Sequence, residues 1–290
     1  MNHPYVINPA SNHGARQASI GALLLEAGKI TPENAENVLA LQKEEGIRFG
    51  EAARRLGLVD EADIQQMLAR QFDYPYVQVG EKQYSPKLVA AFQPFSRQVE
   101  MLRAVRAQLM MRWFARGRRG LAIVGAGPGD GASLFAANLA VVFSQLGERT
   151  LLVDANLRHP AQQEIFDLQG RSGLSDMLAG RAAMDAVAPV DGFVSLSVLP
   201  SGTQPPNPAE LLARHAFTGL NSQLEALHEI VLYDCADLST ASDAMPVIAR
   251  TKGVLLVVRK NKTSLYDVSA VTEQVAQAGA EVVGSVLVDF

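Results

Sequence analysis

The aliphatic run LAIV at residues 121–124 leads into GAGPGDGAS at 125–133, and the apolar stretch SLFAANLAVVFSQLG opens from that turn. Strand, glycine-dense turn and helix in immediate succession leave few architectures open, because a parallel strand must hand its chain to a crossover helix. Gly127, Gly129 and Gly131 let backbone N–H groups turn inward around an anion. The start of the next helix adds the positive end of its dipole. The turn therefore reads as a phosphate-binding loop of the pattern Gly-x-x-x-x-Gly-Lys-Ser/Thr. Gly131 and Ser133 hold its second glycine and its hydroxyl, and Ala132 stands where lysine is expected.

Beyond that turn the chain alternates strand and helix. The strand candidates are LAIVGA, RTLLVDA, LSVLPSG, EIVLYDCAD, GVLLVVRK and EVVGSVLVD. Most are unbroken aliphatic runs, as strands covered on both faces should be. The pattern predicts an α/β domain, a mostly parallel sheet flanked by helices. Asp154 and Asp234 each end a strand, which carries both to the crevice at the carboxyl edge of the sheet. With Ser133 they are candidate magnesium ligands, directly or through water. Capping a neighbouring helix is the alternative role for either aspartate. Gly127, Gly129, Asp130, Gly131, Ala132 and Ser133 are the candidate nucleotide contacts. Cys235, the single cysteine, has no adjacent base and reads as a buried, inert thiol.

Ahead of the sheet, FSRQVEMLRAVRAQLMMRWFARGRRG has a helical pattern with Met101, Leu102, Val105, Leu109 and Trp113 as its apolar stripe. Glu100, Arg103 and Arg106 recur at spacings of three along one face, and Arg112, Arg116, Arg118 and Arg119 form a basic patch. A solvated charged face is the ordinary meaning of such a row.

The front of the chain repeats itself. Gly21, Gly28 and Gln42 recur as Gly50, Gly57 and Gln71, each shifted by the same 29 positions. Each copy reads as a short helix, a glycine turn and a second helix. Thr31 with Pro32, and Asp60, mark the second-helix starts. Val38, Leu39 and Leu41 in one copy, and Ile64, Met67 and Leu68 in the other, supply apolar faces. The physics of paired helices suits a docking module. Expected boundaries are a flexible lead-in at 1–18, the helical repeat at 19–80, a linker at 81–95 broken by proline and glycine, and the α/β domain at 96–290.

A net charge of −4 argues against nucleic acid as partner. A lone cysteine excludes an internal disulfide framework. No apolar run approaches the ~18 residues of a membrane span, and the amino terminus has no apolar signal core. The expected location is the cytoplasm.

The α/β half resembles the bacterial tyrosine kinase family. LLVDANLRHP matches its second aspartate motif, with Asp154, Asn156 and Arg158 at the corresponding positions. GLSDMLAG at 173–180, LPSGTQPPNPAELL at 199–212 and LLVVRKNKT after Gly253 match as well. The closing VVGSVLVDF and the repeat-bearing front resemble the EpsG-type branch, chain-length-determinant kinases of exopolysaccharide biosynthesis. The resemblance implies ATP and Mg2+ as cofactors, Asn156 as a further nucleotide contact, and Asp154, Asp234 and Arg158 as catalytic residues. It implies a homo-oligomeric ring packed through Glu100, Arg103 and Arg106. It also implies an integral-membrane chain-length determinant as partner, which places the chain at the inner face of the inner membrane. The front repeat resembles the MshE N-terminal domain, which binds cyclic di-GMP. The matching candidates are Gly21, Gly28, Gln42, Arg48, Gly50, Gly57 and Gln71, with Ser19 where the first copy's motif has arginine.

Three departures shape the functional expectation. Ala132 removes the cation that reaches the β- and γ-phosphates. Asp234 is followed by Cys235, Ala236 and Asp237 in place of the family's Thr-Pro-Pro. The six tyrosines are scattered and form no tyrosine-rich tail; Tyr266 is the most plausible exposed one. The leading expectation is a family member regulating polymer length and export with weakened or abolished phosphoryl transfer. A fully active tyrosine autokinase is the alternative, and a cyclic di-GMP-responsive adaptor or a partitioning-type ATPase is the next.

Overall fold

The computed structural model describes residues 19–72, 74–77, 82–239 and 242–289. The expected lead-in at 1–18 lies outside the described residues. The chain divides into two compact units between Pro75 and Tyr76.

The first unit is the repeat. Helices α1 (Ile20–Glu26) and α2 (Pro32–Glu45) are followed by α3 (Phe49–Arg55) and α4 (Glu61–Gln71). Ser19, Thr31 and Asp60 cap α1, α2 and α4 through their side chains, and Asp60 and Asp63 form a reciprocal capping box. Gly28 and Gly57 end α1 and α3 at φ of +66° and +68°, a conformation that a side chain resists. Leu23, Leu24, Ile30, Val38, Ala52, Ile64 and Met67 fill the core. Leu39, expected on the apolar face of α2, is 55 % exposed, because Val38 one step earlier takes the buried side.

The second unit begins earlier than composition suggests. Tyr84, Leu88, Ala90 and Ala91 are buried in its core, so the described part of 81–95, expected to be a linker, is packed structure. Helix α5 (Val89–Phe92) lies here, tied to the sheet-facing helix by Ala90 N–H donating to Asn138 Oδ1 at 2.9 Å. Helix α6 (Arg97–Arg112) follows. Its buried residues are Val99, Leu102 and Leu109; Met101, expected in the stripe, is 60 % exposed because it sits about 100° from Leu102 around the helix. Trp113 is buried just past α6, and its indole N–H donates to Gly120 O at 2.9 Å.

The remaining elements are β1 (Gly120–Gly125), α7 (Ala132–Ser144), β2 (Thr150–Asp154), α8 (Gln162–Ile165), α9 (Leu174–Leu178), β3 (Ala188–Val190), β4 (Phe193–Leu199), α10 (Pro208–Ala213), α11 (His215–Leu227), β5 (Ile230–Asp234), α12 (Met245–Thr251), β6 (Gly253–Arg259), α13 (Leu265–Gln277) and β7 (Glu281–Val288). The sheet order is β3-β4-β2-β5-β1-β6-β7, parallel throughout except that β3 runs antiparallel to β4. All six expected strands are present. The unexpected β3 is three residues long with Pro189 at its centre, a composition confined to edges. Two apolar clusters cover the opposite faces of the sheet. Strands β1, β2 and β5 are buried along their whole length, whereas β7 has only half-buried and exposed residues, as an edge strand does.

Candidate functional site

Neighbouring parallel strands start the site. Asp154 ends β2 and Asp234 ends β5 in direct register, and Ile123 of β1 is level with Asp234 on its other side. The three carboxyl ends therefore open into one crevice. The turn between β1 and α7 curls over it. Gly129 and Gly131 adopt φ of +71° and +82°, which explains two of the three glycines expected to shape the turn. Gly127 needs no such φ; its N–H donates to Asp130 Oδ2 at 2.8 Å. Asp130 is buried, accepts a second bond from the Thr263 hydroxyl at 3.0 Å, and so braces the turn from behind.

Ser133 lies on the first turn of α7, and its hydroxyl donates to Asp234 Oδ1 at 3.0 Å. The other oxygen, Asp234 Oδ2, accepts from Gln162 Nε2 at 2.8 Å, and the same Nε2 donates to Ser133 O at 3.0 Å. Gln162 is fully buried, and its Oε1 has no hydrogen-bond partner among the described residues. Asp154 Oδ2 accepts from the N–H groups of Ala161 and Gln162, both at 2.9 Å, at the start of α8. Its Oδ1 accepts from Asn156 N–H at 3.3 Å. Asn156 in turn accepts from His159 N–H at 3.2 Å and shapes the local turn.

Burial pushes both carboxyls above the ordinary carboxylate range, and the adjoining Asp154 charge pushes Asp234 further. The hydrogen-bond donors on Asp234 are neutral, and among the described residues no bonded cation offsets its charge. Two abutting buried carboxylates, a hydroxyl and an unpartnered amide oxygen form an oxygen-rich set that fits a small hard cation. Among the described residues no group of three or more His, Cys, Asp or Glu forms a cage for a metal. A magnesium ion bound there would neutralise charge on a polyphosphate.

Ser133, Asp154 and Asp234 are thus brought together as expected from sequence. Arg158 is not part of that cluster: its guanidinium forks onto the buried carboxylate of Asp243, through Nε and through NH2 at 3.2 Å. Asp237 accepts from the Ser239 hydroxyl at 2.7 Å. Cys235 is buried, and burial pushes its thiol well up, in keeping with an inert residue. Gln162 and Asp243 carry no motif and were not foreseeable; Arg259, Lys262 and Thr263 fall in a matching stretch that assigns them no task. Both contact the turn, Arg259 NH1 donating to Gly129 O at 3.0 Å and Lys262 Nζ to Pro128 O.

On α6, Glu100 pairs with Arg103, and Arg106 donates to Val142 O on α7. Arg106 therefore also ties α6 to the body of the second unit. In the first unit, Gly21 and Gly50 sit where helices meet: a Cβ on Gly21 would touch the Phe49 ring at 3.0 Å, and one on Gly50 would reach Ile64 at 3.4 Å. Arg48 is exposed at the start of α3, and Gln42 and Gln71 are half-buried near the ends of α2 and α4. Ser19 serves as the cap of α1.

No family model matches the chain. Among individual proteins, it is 32 % identical over 200 residues to the tyrosine-protein kinase YwqD of Bacillus subtilis, covering 69 % of this chain and 84 % of that one. It is 30 % identical over 194 residues to the putative tyrosine-protein kinase CapB of Staphylococcus aureus, covering 67 % and 85 %. The kinase domain of the Escherichia coli tyrosine kinase ETK superposes with a TM-score of 0.68 at 29 % identity, over 71 % of this chain and 81 % of that domain. With the strand–loop–helix and the paired aspartates already in place, these matches show that the chain belongs to the bacterial tyrosine-protein kinase family.

Proposed function

We propose that this chain binds ATP with Mg2+ in the crevice and acts as a nucleotide-responsive regulator of exopolysaccharide chain length and export, with phosphoryl transfer weakened or lost. The observation that carries the reading is the Ser133–Asp234–Asp154 cluster beneath a glycine turn that lacks its lysine. Without that ammonium, charge building up between the β- and γ-phosphates goes unmatched during transfer, while the turn amides and the cation site still favour binding. The reading includes a cytoplasmic homo-oligomer joined through α6, where Glu100, Met101 and Met111 are exposed, and an integral-membrane chain-length determinant as partner.

Calorimetry with ATP, with and without magnesium, combined with transfer of label from γ-labelled ATP to tyrosine, tests it. Magnesium-dependent binding with little or no labelling is the expected result. Labelling at a rate typical of kinases, abolished by Asp154→Asn, would establish the autokinase alternative; no binding would end the nucleotide reading.

For the first unit we propose cyclic di-GMP as a second ligand, resting on the repeat's resemblance and on the exposed guanidinium of Arg48, which can pair with phosphate and stack on guanine. Titration of the full chain with cyclic di-GMP should give heat that Arg48→Ala removes. No heat at high micromolar ligand would reduce this unit to a docking module.

A further inference from the structure

The β6–α13 connection, residues 260–264, reaches across to the outer limb of the glycine turn. Thr263 closes this contact on two sides, its hydroxyl donating to Asp130 Oδ2 at 3.0 Å and its Oγ1 accepting from Arg259 N–H at 2.9 Å. Lys262 lies between. Its ammonium donates to the carbonyl of Pro128, stands 4.0 Å from Asp130 Oδ1, and is so close to Gly129 that a Cβ there would lie 3.0 Å from Nζ. The ammonium is thus seated on the turn itself, four positions before the alanine that displaces the motif's lysine.

We propose that Lys262 grips the terminal phosphate of the bound nucleotide, taking over the ground-state share of the missing lysine's work. The proposal rests on the nucleotide reading above and deepens it by naming the recognition group. Lys262 meets three requirements. Its side chain is 44 % exposed, so its four-carbon stem is free to swing. Its present partners are weak ones to give up: a neutral carbonyl, and a carboxylate at 4.0 Å that already accepts from Gly127 and Thr263. Exchanging the carbonyl for a phosphate oxygen yields a charge-assisted bond, roughly twice as strong as a neutral one. Arg259 is a poorer candidate, because its guanidinium is fixed to Gly129 O within the same contact.

The placement also limits what Lys262 does. It approaches the Pro128–Gly129 limb from outside, not from the start of α7 where the motif's lysine spans the β- and γ-phosphates. A cation that holds substrate and transition state alike tightens binding without raising turnover. Lys262 therefore makes the site discriminate ATP from ADP without making it an efficient kinase.

The test measures affinity of the full chain for ATP and for ADP, each with magnesium, in wild type, Lys262→Gln, Lys262→Arg and the double variant Lys262→Gln with Ala132→Lys. Wild type should prefer ATP by about tenfold or more, as expected for one charge-assisted contact. Lys262→Gln should erase that preference, Lys262→Arg should keep most of it, and the double variant should restore it. An unchanged ATP-to-ADP ratio in Lys262→Gln, even with a lower melting temperature, would reduce Lys262 to a brace for the turn and overturn the proposal. Wild type that binds neither nucleotide would fail at the earlier step, and the two failures are distinguishable.

Discussion

Asp234→Asn should make the ligand-free protein more heat-stable while abolishing its magnesium-dependent binding of ATP. The expectation follows from the buried pair at the ends of β2 and β5. Asp234 and Asp154 are fully buried, and burial with mutual repulsion raises Asp234 to about 8. A carboxyl whose folded pKa lies above its unfolded value binds more protons in the native state. The sign is therefore a penalty: absent below the ordinary carboxylate range near 4, growing as pH rises through the interval up to about 8, and constant beyond it. Asparagine removes the charge and leaves the shape. The asparagine can keep its Oδ1 on Gln162 Nε2 and donate its Nδ2 to Ser133 Oγ, which then accepts, so Gln162 holds its bond to Ser133 O and the cluster stays bonded. Neutralising a poorly compensated buried charge stabilises by about 1–4 kcal/mol, a rise of about 2–16 °C for a unit of this size. Thermal melts from pH 5 to 8 check it: wild type should lose stability across that interval, and the variant's profile should be flatter. Magnesium with ATP should rescue wild type most at the alkaline end and leave the variant unmoved. A variant less stable than wild type at pH 8 would show that Asp234 is compensated by something other than a bound cation.

Ala132→Lys should switch phosphoryl transfer on. Ala132 is the first residue of α7 and is partly exposed, so a lysine stem can leave the helix toward the turn. The added charge faces the positive end of the helix dipole, which should cost the ligand-free protein at most about 1 kcal/mol. Regaining a pre-organised cation at the developing charge is worth on the order of a few hundredfold in rate. Transfer from γ-labelled ATP to tyrosine should rise by that order, with Tyr266, 81 % exposed on α13, as the most accessible acceptor among the described tyrosines. Binding without any gain in transfer would mean that the defect lies elsewhere, with the Cys235–Asp237 segment after β5 the next place to look.

The parts legible in sequence were those whose physics is local. Aliphatic runs located six strands, and Gly129, Gly131 and Ser133 announced the turn because left-handed backbone and a helix start need those residue types. Asp154 and Asp234 were legible because a strand-end position fixes where a side chain emerges. The 29-residue repeat located the helix pairs of the first unit, since α1 and α3, like α2 and α4, begin at that offset. What stayed hidden depends on contacts distant in the chain. Gln162 is an ordinary glutamine until β5 brings Asp234 beside it. Asp243 captures Arg158 from 85 positions away, so a residue that the motif casts as catalytic is held by a partner that the motif does not contain. Lys262 lies 134 positions from the carbonyl it binds. Composition misread 81–95 as a linker because prolines and polar residues there surround Leu88, Ala90 and Ala91, which bury themselves against α7.

The lone tryptophan has a practical consequence. Trp113 is sealed from solvent, carries Arg118 at 5.4 Å over its ring, and bonds the first residue of the strand that feeds the glycine turn. Its emission is therefore a built-in optical gauge of that strand. Ligand engagement that tugs on β1 will register as a spectral change, so titrations and stopped-flow traces on this chain need no attached dye.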